Sequence, residues 1–325
     1  MPTYTRRTVR IAGIALALAV ALAPAAAPIA ASHPRSHPES YTLAGDEPGL
    51  RFEGIGYDRR SRHFYVSETT GGEIHRGSVG RSQTHEWLDG DGIDGRYTAR
   101  GINVDRKGRV FIAGGPNSTM QPGAPDMWVY SSSGRLLAAL STRLDDVVIN
   151  DVAIGRDGSA YFTDSAKPQI FRVWHNRRGW HVEVWKDASA TIEGRDGFNL
   201  NGIVATPDGK ALLTVQSNAA KLWRFDLRTR KVTEVAVAGA NLASGDGLVL
   251  RGHRLSVVRN FPQRLTTVRL SEHWRRARLV SEIQTDPARV LTTAKIARGR
   301  LLAVDSKFDE DVPAPPYEVV VLPVP

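Results

Sequence analysis

Cysteine is absent from all 325 residues, which removes disulfides, thiol nucleophiles and thiolate-held zinc from the possible chemistry. Stability has to come from burial and hydrogen bonding. The nine histidines are dispersed and no H-E-x-x-H motif is present, so a zinc protease helix is excluded. No G-x-S-x-G elbow precedes a helical pattern, which removes a serine hydrolase of the α/β type. A long hydrophobic run is also missing: the apolar stretch at 11–22 falls short of the roughly 20 residues that span a bilayer.

That stretch has a different meaning. Arg6, Arg7 and Arg10 precede it and small residues lead from it to Ala30 and Ala31, the three-part layout of an export signal. "TRRTVR" at 5–10 also resembles a twin-arginine signal, so both the ordinary secretory route and the twin-arginine route fit. The expected organisation is a signal peptide at 1–31, a linker at 32–38 and one folded unit at 39–325, in a secreted or extracytoplasmic protein that keeps no membrane attachment after cleavage. The formal charge is +9, from 43 basic and 34 acidic residues. The basic residues are scattered in short clusters such as Arg275, Arg276 and Arg278, which points to solvated faces and away from nucleic acid.

What the chain has in abundance is a repeated unit. "EGIGYDRRSRHFYVSE" starts at Glu53, "RGINVDRKGRVFIAGG" at Arg100, "NDVAIGRDGSAYFTDS" at Asn150, "NGIVATPDGKALLTVQS" at Asn201, "DGLVLRGHRLSVVRN" at Asp246 and the more degenerate "TTAKIARGRLLAVDS" near Thr292. The starts lie 45 to 51 residues apart. Each copy reads as a hairpin with a Gly-bearing turn, followed by two further strand-like runs such as "KLWRF" and "KVTEVAV". Four strands per unit is the pattern of a propeller blade. The last copy lacks an outer strand, and "ESYTLAG" at 39–45 has no blade of its own, so it can complete the last blade and remove a free sheet edge. The expected fold is an all-β, six-bladed β-propeller closed by its N-terminal strand.

In such a ring the innermost strands line a central channel, and equivalent positions face one another across it. Alignment of the copies puts Glu53, Arg100, Asn150, Asn201, Asp246 and Thr292 at one level, and all are polar. Asp151 stands where four other copies have Gly, which suggests a role in turn geometry. Two carboxylates and two amide oxygens, without imidazole, suit a hard divalent cation: Ca²⁺ first, with Mg²⁺ or Mn²⁺ as alternatives. A ring of polar groups that satisfy one another and ordered water is the competing reading, in which Arg100 pairs Glu53 or Asp246 without any ion.

"FEGIGYD", "INDVA", "LNGIVATPDGK" and "GDGLVL", in this order, resemble the signature stretches of the senescence marker protein 30, gluconolactonase and luciferin-regenerating enzyme superfamily. The resemblance is greatest to an exported bacterial subgroup. It implies a divalent cation at the centre, held by Glu53, Asn201 and Asp246, with Asn150 as a fourth ligand or a substrate contact. One departure stands out: sugar-lactone hydrolases of the family often carry an Arg two residues before the Asn of the third blade, and here that residue is Val148. Arg100 is the candidate replacement.

Two functions follow. One is a metal-dependent hydrolase of lactones or related esters acting on a small molecule, with Asp246 as base and Arg100 and Asn150 steadying the oxyanion. The other is a secreted propeller that binds a ligand or protein without turnover. Of the remaining features, "DGDGIDG" at 89–95 reads as consecutive turns, "NST" at 117 as a loop that happens to fit a glycosylation sequon, and the seven tryptophans as packing between blades. Lys295 and Lys307 fall near the sixth inner hairpin and read as rim charges, with positioning of an anionic substrate as the alternative.

Overall fold

The computed structural model describes residues 1–3 and 38–325. The chain divides into two units, 1–36 and 37–325, and the expected signal peptide beyond residue 3 and the expected linker up to residue 37 lie outside the described residues. Among the described residues the second unit folds into six sheets, each built on four strands consecutive in the chain or on three completed by the N-terminal strand, with a fifth strand added to one of them. The inner strands are Phe52–Tyr57, Ile102–Val104, Ile149–Ile154, Leu200–Ala205, Gly245–Arg251 and Leu291–Ala297, and each touches the next round the ring, the last returning to the first. This is a six-bladed propeller.

The ring closes as its pattern requires. Ser40–Thr42 pairs antiparallel with Glu318–Leu322, the third strand of blade 6, in the register Tyr41 to Val319. Tyr41 is fully buried in a cluster with Phe52, Phe64, Tyr317 and Val319, so the two ends of the propeller share one core.

Turn chemistry fixes the hairpins. Asp105 Oδ1 accepts the backbone N–H groups of Lys107 and Arg109 at 2.8 and 2.9 Å, while Gly108 takes a φ of 79° that L-residues rarely adopt. Asp157 and Asp208 serve their own turns in the same way. Trp128 and the other tryptophans sit on middle and outer strands or the loops between them, and Trp128, Trp185, Trp223 and Trp274 join buried clusters.

One boundary differs from the sequence reading. "KVTEVAV" is not a single outer strand. Val232–Glu234 completes blade 4, but Ala236–Ala238 leaves it and pairs parallel with Arg276–Gln284 as a fifth strand of blade 5. Val235 is the pivot: its side chain is buried in the cluster that holds Leu248, Val257 and Val268, which draws the chain across.

Candidate functional site

The aligned polar residues sit at a recurrent irregularity. In blades 1, 3, 4, 5 and 6 the first two strands lose register at one place, so Glu53 and Gly54 together oppose a single residue, as do Asn150 and Asp151, Asn201 and Gly202, Asp246 and Gly247, and Thr292 and Thr293. In blade 2 both Arg100 and Gly101 bond to Ala113. A β-bulge bends its strand and re-aims the side chains it carries, so six bulges at one level turn six polar groups toward the axis.

Glycine follows the polar residue because the blades touch there. A Cβ on Gly202 would lie 2.1 Å from the carbonyl oxygen of Asp246, and one on Gly54 would lie 2.2 Å from that of Arg100. Hydroxyls lock the same level: Thr163 Oγ1 donates to Asn201 O at 2.7 Å, Thr292 Oγ1 to Glu53 O at 2.8 Å, and Ser67 Oγ to Arg100 O.

Asp151 is a correction to the sequence reading. It serves no turn. Its buried carboxylate accepts the N–H of Val152 at 2.7 Å through Oδ1 and that of Ile203 in the next blade at 3.1 Å through Oδ2. It therefore joins blades 3 and 4 and places a third acid near the axis.

The structure brings Glu53, Arg100, Asn150, Asn201 and Asp246 to this level. Glu53, Asn150, Asn201 and Asp246 are all nearly inaccessible to solvent. Glu53 Oε2, Asn150 Oδ1 and Asn201 Oδ1 are buried without a hydrogen-bond partner, which is costly unless something else satisfies them. Asp246 is better supported, accepting from Asn260 Nδ2 at 2.9 Å. Burial pushes the Glu53 carboxyl up to about 8, Arg100 opposes the shift, and Asp246 and Asp151 add to it. Burial likewise pushes Asp246 up to about 7 against the hydrogen bond from Asn260, with the Asp151 charge adding to the rise.

Arg100 Nη1 lies 3.7 Å from Glu53 Oε2, beyond hydrogen-bond length, and its guanidinium stacks 5.6 Å from the ring of Phe198. It thus neighbours the acidic pair without capping it. The donor types suit a hard cation: two carboxylates and two amide oxygens are buried at the bulge level, three of those oxygens are orphaned, and none of the four residues offers sulfur or imidazole. Among the described residues no group of three His, Cys, Asp or Glu side chains is arranged to hold a metal, so such an ion depends on the amides.

Residues away from the aligned bulge positions also matter. Asn260 orients Asp246, and Phe198 and Phe261 are exposed beside Arg100 and Asn260. Their signal was weak, since each lies in a connection between strands. Lys307 pairs with Glu310 at 2.9 Å, as a rim charge would. Asn117 is fully buried, its amide donating to Gly95 O and Pro125 O at 2.8 Å, so the sequon is a structural corner within a single helical turn, Asn117–Met120. Asp91, Gly92, Asp94 and Gly95 all have positive φ, confirming consecutive turns at 89–95.

The SMP-30/gluconolactonase/LRE-like region matches residues 52–252, which contain five of the six bulges. The chain belongs to this family. Solved structures agree in fold. A gluconolactonase from Xanthomonas campestris superposes with a TM-score of 0.60 at 15% identity, covering 90% of this chain and 99% of that one. A luciferin-regenerating enzyme gives 0.58 at 11%, covering 85% and 94%. The major allergen Mala s 1 of Malassezia sympodialis gives 0.65 at 17%, covering 87% and 96%. No curated protein matches the chain in sequence.

Proposed function

We propose that this family member is an exported, metal-dependent hydrolase of lactones or related esters. The observation that carries the reading is the set of three orphaned, buried oxygens on Glu53, Asn150 and Asn201 beside the Asp246 carboxylate. Those four residues would hold the ion, with Ca²⁺ the first choice and Mg²⁺ or Mn²⁺ as alternatives. When bound, it would supply Lewis-acid polarisation of the substrate carbonyl and a more acidic water.

The chain's own groups supply the rest. Asn260 holds Asp246 in one orientation, from which its carboxylate can take a proton from water and return it to the leaving oxygen. Arg100, with its guanidinium fixed against Phe198, and the Asn150 amide donate to the carbonyl oxygen as negative charge develops there. Val148 in place of an arginine, and the exposed rings of Phe198 and Phe261, favour an acyl substrate with a hydrocarbon body over a bare sugar lactone. The resemblance of its motifs to an exported bacterial subgroup and the signal-like N-terminus support action outside the cytoplasm, on a small molecule.

One observation favours a second reading, a binding propeller without turnover. Arg100 at 3.7 Å from Glu53 already supplies one counter-charge. The two are separated by assay: purified protein with Ca²⁺, Mg²⁺ or Mn²⁺ should hydrolyse members of a lactone and ester panel, and Asp246→Ala should abolish it. Absence of turnover across the panel would leave the binding reading.

A further inference from the structure

The channel has a second mouth. All six inner strands run in the same direction, so the residues that end them gather on the face away from Glu53 and Asp246. Tyr57, Val104, Ile154, Ala205, Leu250 and Ile296, one from each blade, line a cavity of about 720 Å³ there. That volume lies within the range of small-molecule sites.

Its lining is an apolar collar with charge of one sign left over. Arg59, Arg60, Arg106 and Arg251 stand exposed round the rim, and Lys295 projects from the inner strand of blade 6. The third position after each bulge start is Gly56, Asn103, Ala153, Val204, Val249 and Lys295, so this lysine is the charged member of an otherwise uncharged ring. The two acids of the lining are already engaged. Asp58 accepts from Arg60 N and Ser61 Oγ at 2.8 and 2.7 Å, and Asp105 is held by Arg109 at 2.6 Å and by its own turn. Among the described residues Lys295 forms no ion pair within 4.0 Å. The acid acting on it, Asp151, already holds two backbone N–H groups.

We infer that this second mouth is a binding site for a small organic anion, whose hydrocarbon or aromatic body fills the collar and whose oxyanion head, a phosphate, sulfate or carboxylate, sits between Lys295 and the rim arginines. Cationic donors in a low-dielectric collar hold such a head by charge-assisted hydrogen bonds, while the collar discriminates against inorganic ions that bring no apolar surface. The site is independent of the hydrolase reading, because it uses none of the residues at the bulge level.

Isothermal titration of the full-length protein with phenyl phosphate, inorganic phosphate and phenol, all at one fixed ionic strength, tests it. Phenyl phosphate should bind one to one, at least about tenfold more tightly than inorganic phosphate, with phenol weaker still. Lys295→Met should weaken phenyl phosphate by about tenfold or more. Arg251→Ser, at an exposed side chain at the end of its strand, should weaken it in the same direction, and Glu53→Gln should leave it unchanged. The inference is overturned if phenyl phosphate fails to saturate, if both Lys295→Met and Arg251→Ser bind it like the parent, or if Glu53→Gln abolishes binding, which would put the ligand at the other mouth.

Discussion

Stripping divalent cations from this protein should make its stability fall as the pH rises, the reverse of ordinary acid denaturation. The cause is the pair of buried acids at the axis. Glu53 is pushed from 4.5 to about 8 and Asp246 from 3.8 to about 7, chiefly by burial. A group whose folded pKa is raised binds more protons folded than unfolded between the two values, so its contribution is present below the unfolded pKa and is lost as pH climbs through the folded one. At ~1.4 kcal/mol per pH unit, one such carboxyl loses about 4 kcal/mol between pH 5 and pH 8. Because the Asp246 charge contributes to the rise of Glu53, one group's worth is the appropriate scale. For a domain of this size that is a fall in Tm of about 8 °C. The assay is thermal unfolding after EDTA treatment, at pH 5 to 8, for the parent and for Glu53→Gln, which carries no charge to bury. The parent curve should drop toward pH 8 relative to the variant, and Ca²⁺ at about a hundred times its Kd should restore roughly 2.7 kcal/mol at pH 8. If parent and variant fall in parallel and added cation changes neither, the axial acids are not destabilising one another and the metal reading is refuted.

Other substitutions probe separate parts of the argument. Elemental analysis of the purified parent should detect a divalent metal, and Glu53→Gln and Asp246→Asn should each lose it. Arg100→Gln should lower turnover by about a hundredfold through loss of an oxyanion donor, yet tighten Ca²⁺ in calorimetry, because a cation 3.7 Å from Glu53 is gone; weaker Ca²⁺ binding would mean that Arg100 organises the ligands. Gly202→Ala should cost about 1–3 kcal/mol in denaturant titration, since its Cβ would meet the Asp246 carbonyl at 2.1 Å. Tyr41→Ala should cost about 3–5 kcal/mol, as for a fully buried aromatic, and a loss below 1 kcal/mol would show that the N-terminal strand does not hold the ring shut.

Much of this architecture was legible because each blade repeats one local solution: an alternating strand, an Asp-Gly or Gly turn and a second alternating strand. The site level was legible for the same reason, since a polar residue followed by glycine at the head of an apolar strand marks both the bulge and the close approach of the next blade. Where the chain departs from the repeat, local pattern lost its force. Asp151 fills a glycine slot, and only the neighbouring blade's Ile203 N–H reveals that its carboxylate is a cross-blade acceptor. The crossover at Val235 is set by burial against blade 5, which the periodicity of "KVTEVAV" does not carry. Asn260 and Asn117 are polar residues in loops whose partners lie far from them in space-blind sequence order, 14 residues from Asp246 for one and 22 from Gly95 for the other.

Charge balance at the axis reconciles Arg100 with a metal. Asp151 is satisfied by two backbone N–H groups and by the field of Lys295, which leaves Glu53 and Asp246 to share Arg100 as their one fixed cation. Two carboxylates and one guanidinium carry a net charge of −1, so without an ion the site has to take up a proton, consistent with the raised pKa of both acids. A divalent cation turns the same set to +1. A site of that sign repels no incoming carbonyl and stabilises the negative charge that ester cleavage places on its oxygen. On this account the arginine does not replace the metal. On the proposed reading it would convert a neutral metal–carboxylate centre into one with a positive charge to spare, the charge that an oxyanion needs and that a purely structural ion would not.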